Sequence, residues 1–131
     1  NFGRPETCDH EANGNNPLCG DKVTVFLSIA GDVIEDVRFE ARGCAISVAS
    51  ASMMTELVKG RKLADARAIF EDFRDVVTRK EDVGADDLER LDKLAVLTGV
   101  REFPMRVKCA TLPWHTMSAA LDDSEEDVTT E

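Results

Sequence analysis

The chain has 131 residues, which suits one domain around one core, and 26 acidic against 16 basic side chains give it a formal charge of −10. That balance speaks against nucleic acid and against anionic membrane surfaces as partners, since both call for a basic face. At 43% hydrophobic and 32% charged the composition is that of an ordered globular protein, and apolar stretches such as 23–30 and 45–51 are too short to span a bilayer.

Residues 1–18 read as a loop, punctuated by Gly3, Pro5, Gly14, Pro17 and the asparagines at 13, 15 and 16. The chain opens on Asn1 rather than Met, so a fragment is expected. Its polar, Gly- and Pro-containing start does not read as a secretory signal, which points to a cytoplasmic setting. Residues 22–30 then alternate, with Val23, Val25, Leu27 and Ile29 on one face. Gly31 and Asp32 supply a tight turn, and 33–42 resume the alternation with Val37, Phe39 and Ala41, so an antiparallel hairpin with one buried face is expected. Gly43 ends the second strand. Residues 44–59 read as a helix whose first half is built of Ala and Ser, with Gly60 as its stop. Helices are also expected over 64–77, carrying Ile69, Phe70 and Phe73, and over 86–97, carrying Leu88, Leu91 and Leu94. Gly99 and Pro104 interrupt, and a last helix over 114–121 is entered through Pro113. The sum is α+β: a short antiparallel sheet packed on one side by helices. A single domain over 1–121 followed by an acidic mobile tail over 122–131 is the expected organisation.

Four cysteines stand at 8, 19, 44 and 109, with no C-x-x-C among them. An even count permits two disulfides, but wide uneven spacing without a secretory context favours reduced thiols used for metal or reactivity. Three of them lie in informative surroundings. In Asn16-Pro17-Leu18-Cys19-Gly20-Asp21, Pro17 and Gly20 fix a turn, and Cys19 and Asp21 stand two apart, so in extended chain both point the same way. Locally this is equally a turn acid leading into a strand or half of a metal site. Cys44, at a helix start, sits where unpaired N–H groups favour an anion, or is a small buried cysteine near a cap. Cys109 has Lys108 beside it and Arg106 one helical turn earlier; these are a cationic setting for a thiolate or a solvated basic pair. Together, three Cys and one Asp make a closed four-ligand set for zinc. The harder carboxylate is the member expected to hold a soft ion least firmly.

The segments NPLCGD, GCAIS with its SASMM helix, and RVKCATLPW closely resemble, in order, those of the NifU/IscU-type iron–sulfur cluster assembly family. Lys108, where the IscU branch has a histidine before the last cysteine, and the 64 residues between Cys44 and Cys109 resemble the SufU-type branch, whose extra segment matches 60–77. An N-terminal helix of that family has no counterpart after Asn1. The resemblance implies that Cys19, Asp21, Cys44 and Cys109 are metal ligands, for zinc or alternatively for iron or a [2Fe–2S] cluster. It implies that Cys19 accepts persulfide sulfur from a SufS-type cysteine desulfurase, a histidine of which replaces it on zinc, and that Arg106 helps at that interface. Downstream scaffolds or apo-proteins would be further partners. The protein would then act as a sulfurtransferase-like acceptor and activator rather than a stand-alone enzyme, or alternatively as a cluster scaffold on the same ligands.

Other candidates are weaker. Cys8 and His10 form a C-x-H pair with nothing nearby to complete a site, and an incidental thiol is expected. His115, six positions after Cys109, points away from it on a continuous helix. Met53, Met54, Phe70 and Phe73 are core fillers at helical spacing.

Overall fold

The computed structural model describes residues 3–5, 8, 10–17, 20–79, 83–122 and 128–129. The alternating stretches form the expected hairpin, β2 (Asp21–Ala30) and β3 (Val33–Arg42), paired antiparallel from Lys22↔Arg42 to Ala30↔Val33 with a register shift at Ser28/Ile29. Gly31 holds φ +64° in the turn, the left-handed region that glycine enters without strain. Val23, Val25, Leu27 and Val37 are 2% exposed or less and form one face of the core.

A third strand, β1 (His10–Asn16), joins this hairpin antiparallel, with Gly14↔Val23 and Asn16↔Asp21 as Cα partners. Loop was expected here, because Asn and Gly disfavour strands. The sheet forms because tertiary packing overrides that preference. Ala12, Gly14 and Asn16 face inward, and a Cβ on Gly14 would collide with Thr116 Oγ1, so the glycine is what lets helix and strand approach. A two-residue strand, β4 (Val128–Thr129), pairs in parallel with β1, giving the order β3-β2-β1-β4. The sequence gives no sign of that pairing within 122–131. The rest of that acidic segment beyond Asp122 lies outside the described residues.

Helices cover the inner face. Helix α1 (Ala45–Val58) and helix α2 (Leu63–Thr78) match the expected spans within one or two residues. The expected helix over 86–97 divides instead into α3 (Ala85–Leu91) and a 3-10 segment, Asp92–Glu102. The last helix, α4, is Pro104–Leu121, ten residues longer at its start than expected. Pro104 does not interrupt it but occupies its first turn, where its missing N–H has no helical partner to lose. Pro113 lies inside the helix rather than at its entrance. Packing accounts for this: Leu112, Pro113 and Trp114 are all buried, and Ser50 Oγ of α1 donates to the Ala110 carbonyl at 2.5 Å. Trp114 is fully buried, with Phe70 and Phe73 of α2 each 5.9 Å from it between ring centroids. Such aromatic pairs contribute about 0.5–1.5 kcal/mol each beyond area burial.

The outer face of the sheet is partly covered. Phe26, 1% exposed on that face, lies beneath the Arg4 guanidinium at 4.7 Å, and the Gly3 N–H donates to the Phe39 carbonyl at 2.7 Å. No described helix is long and apolar enough to cross a membrane.

Candidate metal centre

The start of β2 carries Asp21, the N-cap of α1 is Cys44, and the middle of α4 carries Cys109. Their ligating atoms all lie within 4.8 Å of one another. Asp21 and Cys109 are 1% and 2% exposed, and Cys44 is partly exposed. Among the described residues, the Cys44 amide and the Cys44 sulfur meet this buried carboxylate. The Cys44 N–H donates to Asp21 Oδ1 at 2.7 Å, leaving Oδ2 turned to Cys44 Sγ at 3.6 Å. Gly43 makes that approach possible: its φ is +133°, and a Cβ there would sit 2.7 Å from the Asp21 Cα.

The two sulfurs are each met by an N–H group. The Ser47 N–H of the first turn of α1 reaches Cys44 Sγ at 3.5 Å, which makes the cysteine a helix cap. Asn16 Nδ2 reaches Cys109 Sγ at 3.6 Å. N–H donors on a sulfur disperse negative charge and fix orientation while leaving lone pairs for a metal. Cys8, Cys44 and Cys109 form no disulfide with one another.

Of the four expected ligands, Asp21, Cys44 and Cys109 converge; Cys19 lies outside the described residues. Arg106 is exposed, one turn before Cys109, with its guanidinium 4.8 Å from the centre of the Phe103 ring. His115 is not at the centre: it meets the Phe70 ring edge-on at 5.0 Å. Burial, and secondarily the Arg74 charge, hold its pKa below the ordinary histidine value. Cys8 and His10 are not part of the cluster among the described residues. Sequence reasoning missed Asn16, Gly43 and Ser47 as site residues. The signal for Asn16 was its place opposite Asp21 across a short turn, which becomes visible only once β1 is recognised as a strand.

The NifU-like N terminal domain family profile matches residues 1–110. The chain belongs to that family. It is similar to the zinc-dependent sulfurtransferase SufU of Bacillus subtilis (strain 168), at 41% identity over 85% of this chain and 74% of that protein. It is 39% identical, over 84% of its length and 67% of the relative's, to an iron–sulfur cluster assembly scaffold protein IscU of Streptococcus pyogenes serotype M1. Among solved structures, a putative iron–sulfur cluster assembly scaffold protein for the SUF system from Fervidobacterium islandicum AW-1 superposes with a TM-score of 0.83. Its identity is 36%, and the match covers 92% of this chain and 85% of that one. Within the NifU/IscU family the chain is of the SufU type.

Proposed function

We propose that this protein serves iron–sulfur cluster assembly as a zinc-bound sulfur acceptor, taking persulfide sulfur from a SufS-type cysteine desulfurase onto Cys19. The observation that carries the reading is the convergence of Asp21, Cys44 and Cys109, one carboxylate and two thiols from three separate elements. Neighbouring sulfurs on a tetrahedral zinc, at bonds of about 2.3 Å, stand about 3.8 Å apart. The described atoms, within 4.8 Å of one another and with Cys44 Sγ and Asp21 Oδ2 already at 3.6 Å, fit that donor set with little adjustment. Cys19 supplies the fourth ligand in this reading. Two peptide steps keep its Cα within about 7 Å of the Asp21 Cα.

Zinc bound there would keep the thiols deprotonated while muting them as nucleophiles. The chain's own residues do the rest. Cys44 and Cys109, anchored by Ser47 N–H and Asn16 Nδ2, hold; Asp21, the harder ligand, is kept in place by the Cys44 amide rather than by sulfur chemistry. Cys19, on the connection between β1 and β2, is the acceptor. Its thiolate attacks the outer sulfur of the desulfurase persulfide, the S–S bond breaks, and the desulfurase cysteine leaves as a thiolate. The product is a Cys19 persulfide with no net redox change. Arg106, exposed on the same helix as Cys109, faces the partner. The reading treats residues 1–121 as one domain acting in the cytoplasm.

The test mixes the protein with a SufS-type desulfurase and follows sulfide release with and without zinc. Zinc-dependent stimulation is expected, and it should be lost in Cys19→Ala while far-UV circular dichroism is unchanged. Full stimulation by Cys19→Ala would overturn the mechanism. Anaerobically purified protein should carry one zinc and no visible colour; a brown protein would instead support a [2Fe–2S] scaffold on the same residues.

A further inference from the structure

Asn16 is a polar side chain in an apolar place. It is the last residue of β1, 1% exposed, on the inward face that also carries Ala12 and Gly14. Only half of its amide is used: Nδ2 reaches Cys109 Sγ, 93 residues away, at 3.6 Å, whereas Oδ1 is buried with no hydrogen-bond partner among the described residues. A buried, unpartnered carbonyl oxygen is unfavourable, and an apolar residue at this position would avoid it. The position is therefore explained by what the nitrogen does. Against a deprotonated or metal-bound sulfur, the opposite amide orientation would set oxygen lone pairs against sulfur lone pairs, so for a ligand sulfur the N–H is the half that belongs toward Cys109.

Asn16 is also the Cα partner of Asp21, across the four-residue connection 17–20 that carries Cys19. One side chain thus links that connection to α4.

Resting on the metal reading above, we propose that Asn16 is a positioning residue that aims the Cys109 sulfur at Asp21 and Cys44 by donating an N–H to it. The hydrogen bond restricts rotation of the cysteine side chain and draws charge from the sulfur, while other lone pairs stay available to a metal. Partners of this kind typically change metal affinity by about 10- to 100-fold when removed.

The experiment uses the full chain in two variants, Asn16→Leu, branched at the same atom without a donor, and Asn16→Asp, similar in size with a carboxylate in place of the donor. Zinc affinity is measured by competition with a chromophoric chelator. The cobalt-substituted protein is examined for its thiolate-to-metal charge-transfer bands, and the metal-free proteins are melted. Both variants should bind zinc about 10-fold or more weakly, and their cobalt bands should move to lower energy, because a sulfur without its N–H holds its electrons less tightly. Metal-free Asn16→Leu should melt no lower than the parent, having lost the unpaired oxygen. Parent-like zinc affinity and bands in both variants would overturn the inference while leaving the metal centre standing. Equal losses in metal-free stability and in zinc affinity, with unchanged bands, would reduce Asn16 to a structural role and overturn it as well. A parent protein that takes up neither zinc nor cobalt would overturn the metal reading itself.

Discussion

Gly43 presses its bare Cα against Asp21 so closely that a Cβ at position 43 would stand 2.7 Å from the Asp21 Cα, closer than real Cβ contacts come. The backbone φ of +133° is also one that side chains other than hydrogen rarely tolerate. Gly43→Ala should therefore cost about 2 kcal/mol or more of folding stability. It should also push the Asp21 carboxylate out of the cluster. Urea denaturation and the zinc content of purified protein check the two halves of the expectation.

Asp21 has two separable tasks. Its Oδ1 accepts the Cys44 N–H, and on the proposed zinc reading its charge completes the donor set. Asp21→Asn keeps an acceptor oxygen and should leave metal-free stability within about 1 kcal/mol while weakening zinc by at least about 10-fold. Asp21→Ala removes the acceptor as well, and stranding the Cys44 N–H should cost about 1–3 kcal/mol even without metal. Chelator competition beside denaturation of the metal-free variants distinguishes the tasks. Equal stability of the Asn and Ala variants would show that the Cys44 hydrogen bond is not what holds this corner.

Arg106 is exposed, and its guanidinium lies over the Phe103 ring, itself 48% exposed. Arg106→Ala should change stability by no more than about 0.5–1 kcal/mol, the worth of an exposed cation–π contact. If the residue faces the desulfurase, the concentration of this protein needed for half-maximal sulfide release should rise several-fold with little change in the maximal rate. A fall in the maximal rate alone would argue for a role in sulfur transfer instead.

His115 makes stability depend on pH in a definite direction. Burial first, and the Arg74 charge second, depress its pKa in the folded protein. As pH falls below about 6.5, the ordinary histidine value, the unfolded chain takes up a proton that the folded chain still refuses. Stability is therefore lost as pH falls from there, and the loss levels off below the folded-state pKa, where both forms are protonated. His115→Gln should flatten this segment of the stability curve relative to the parent, as followed by denaturant midpoints across the acid range. An unchanged difference between the two proteins at every pH would contradict the assignment.

Much of the fold is legible in the sequence where local pattern and tertiary packing agree. Val23, Val25 and Leu27 alternate and are buried, Gly31 makes the turn, and the Phe70–Phe73 spacing marks the inner stripe of α2. Legibility fails where packing overrules local preference. Asn13, Gly14 and Asn15 look like loop, yet Gly14 belongs to a strand because only a residue without a side chain lets Thr116 so close. Pro104 and Pro113 look like breaks, yet one starts α4 and the other is carried within it by its buried surroundings. Asp21, Cys44 and Cys109, which converge, could be singled out as candidates because thiols and carboxylates announce their chemistry by type. Asn16, Gly43 and Ser47 were not, because their contribution is an N–H or a missing Cβ, which takes its meaning only from the partner brought to it.

The three converging side chains also impose an order in time. Asp21 and Cys44 are joined through one hairpin and one turn, so their hydrogen bond can form from a short, early-made stretch of chain. Cys109 is synthesised 64 intervening residues after Cys44, and it reaches them only once α4 has docked on β1 and α1. On the proposed zinc reading, a nascent chain of this protein would therefore offer a half-built pair of ligands long before a holding site, and firm metal capture would report that the last helix has arrived.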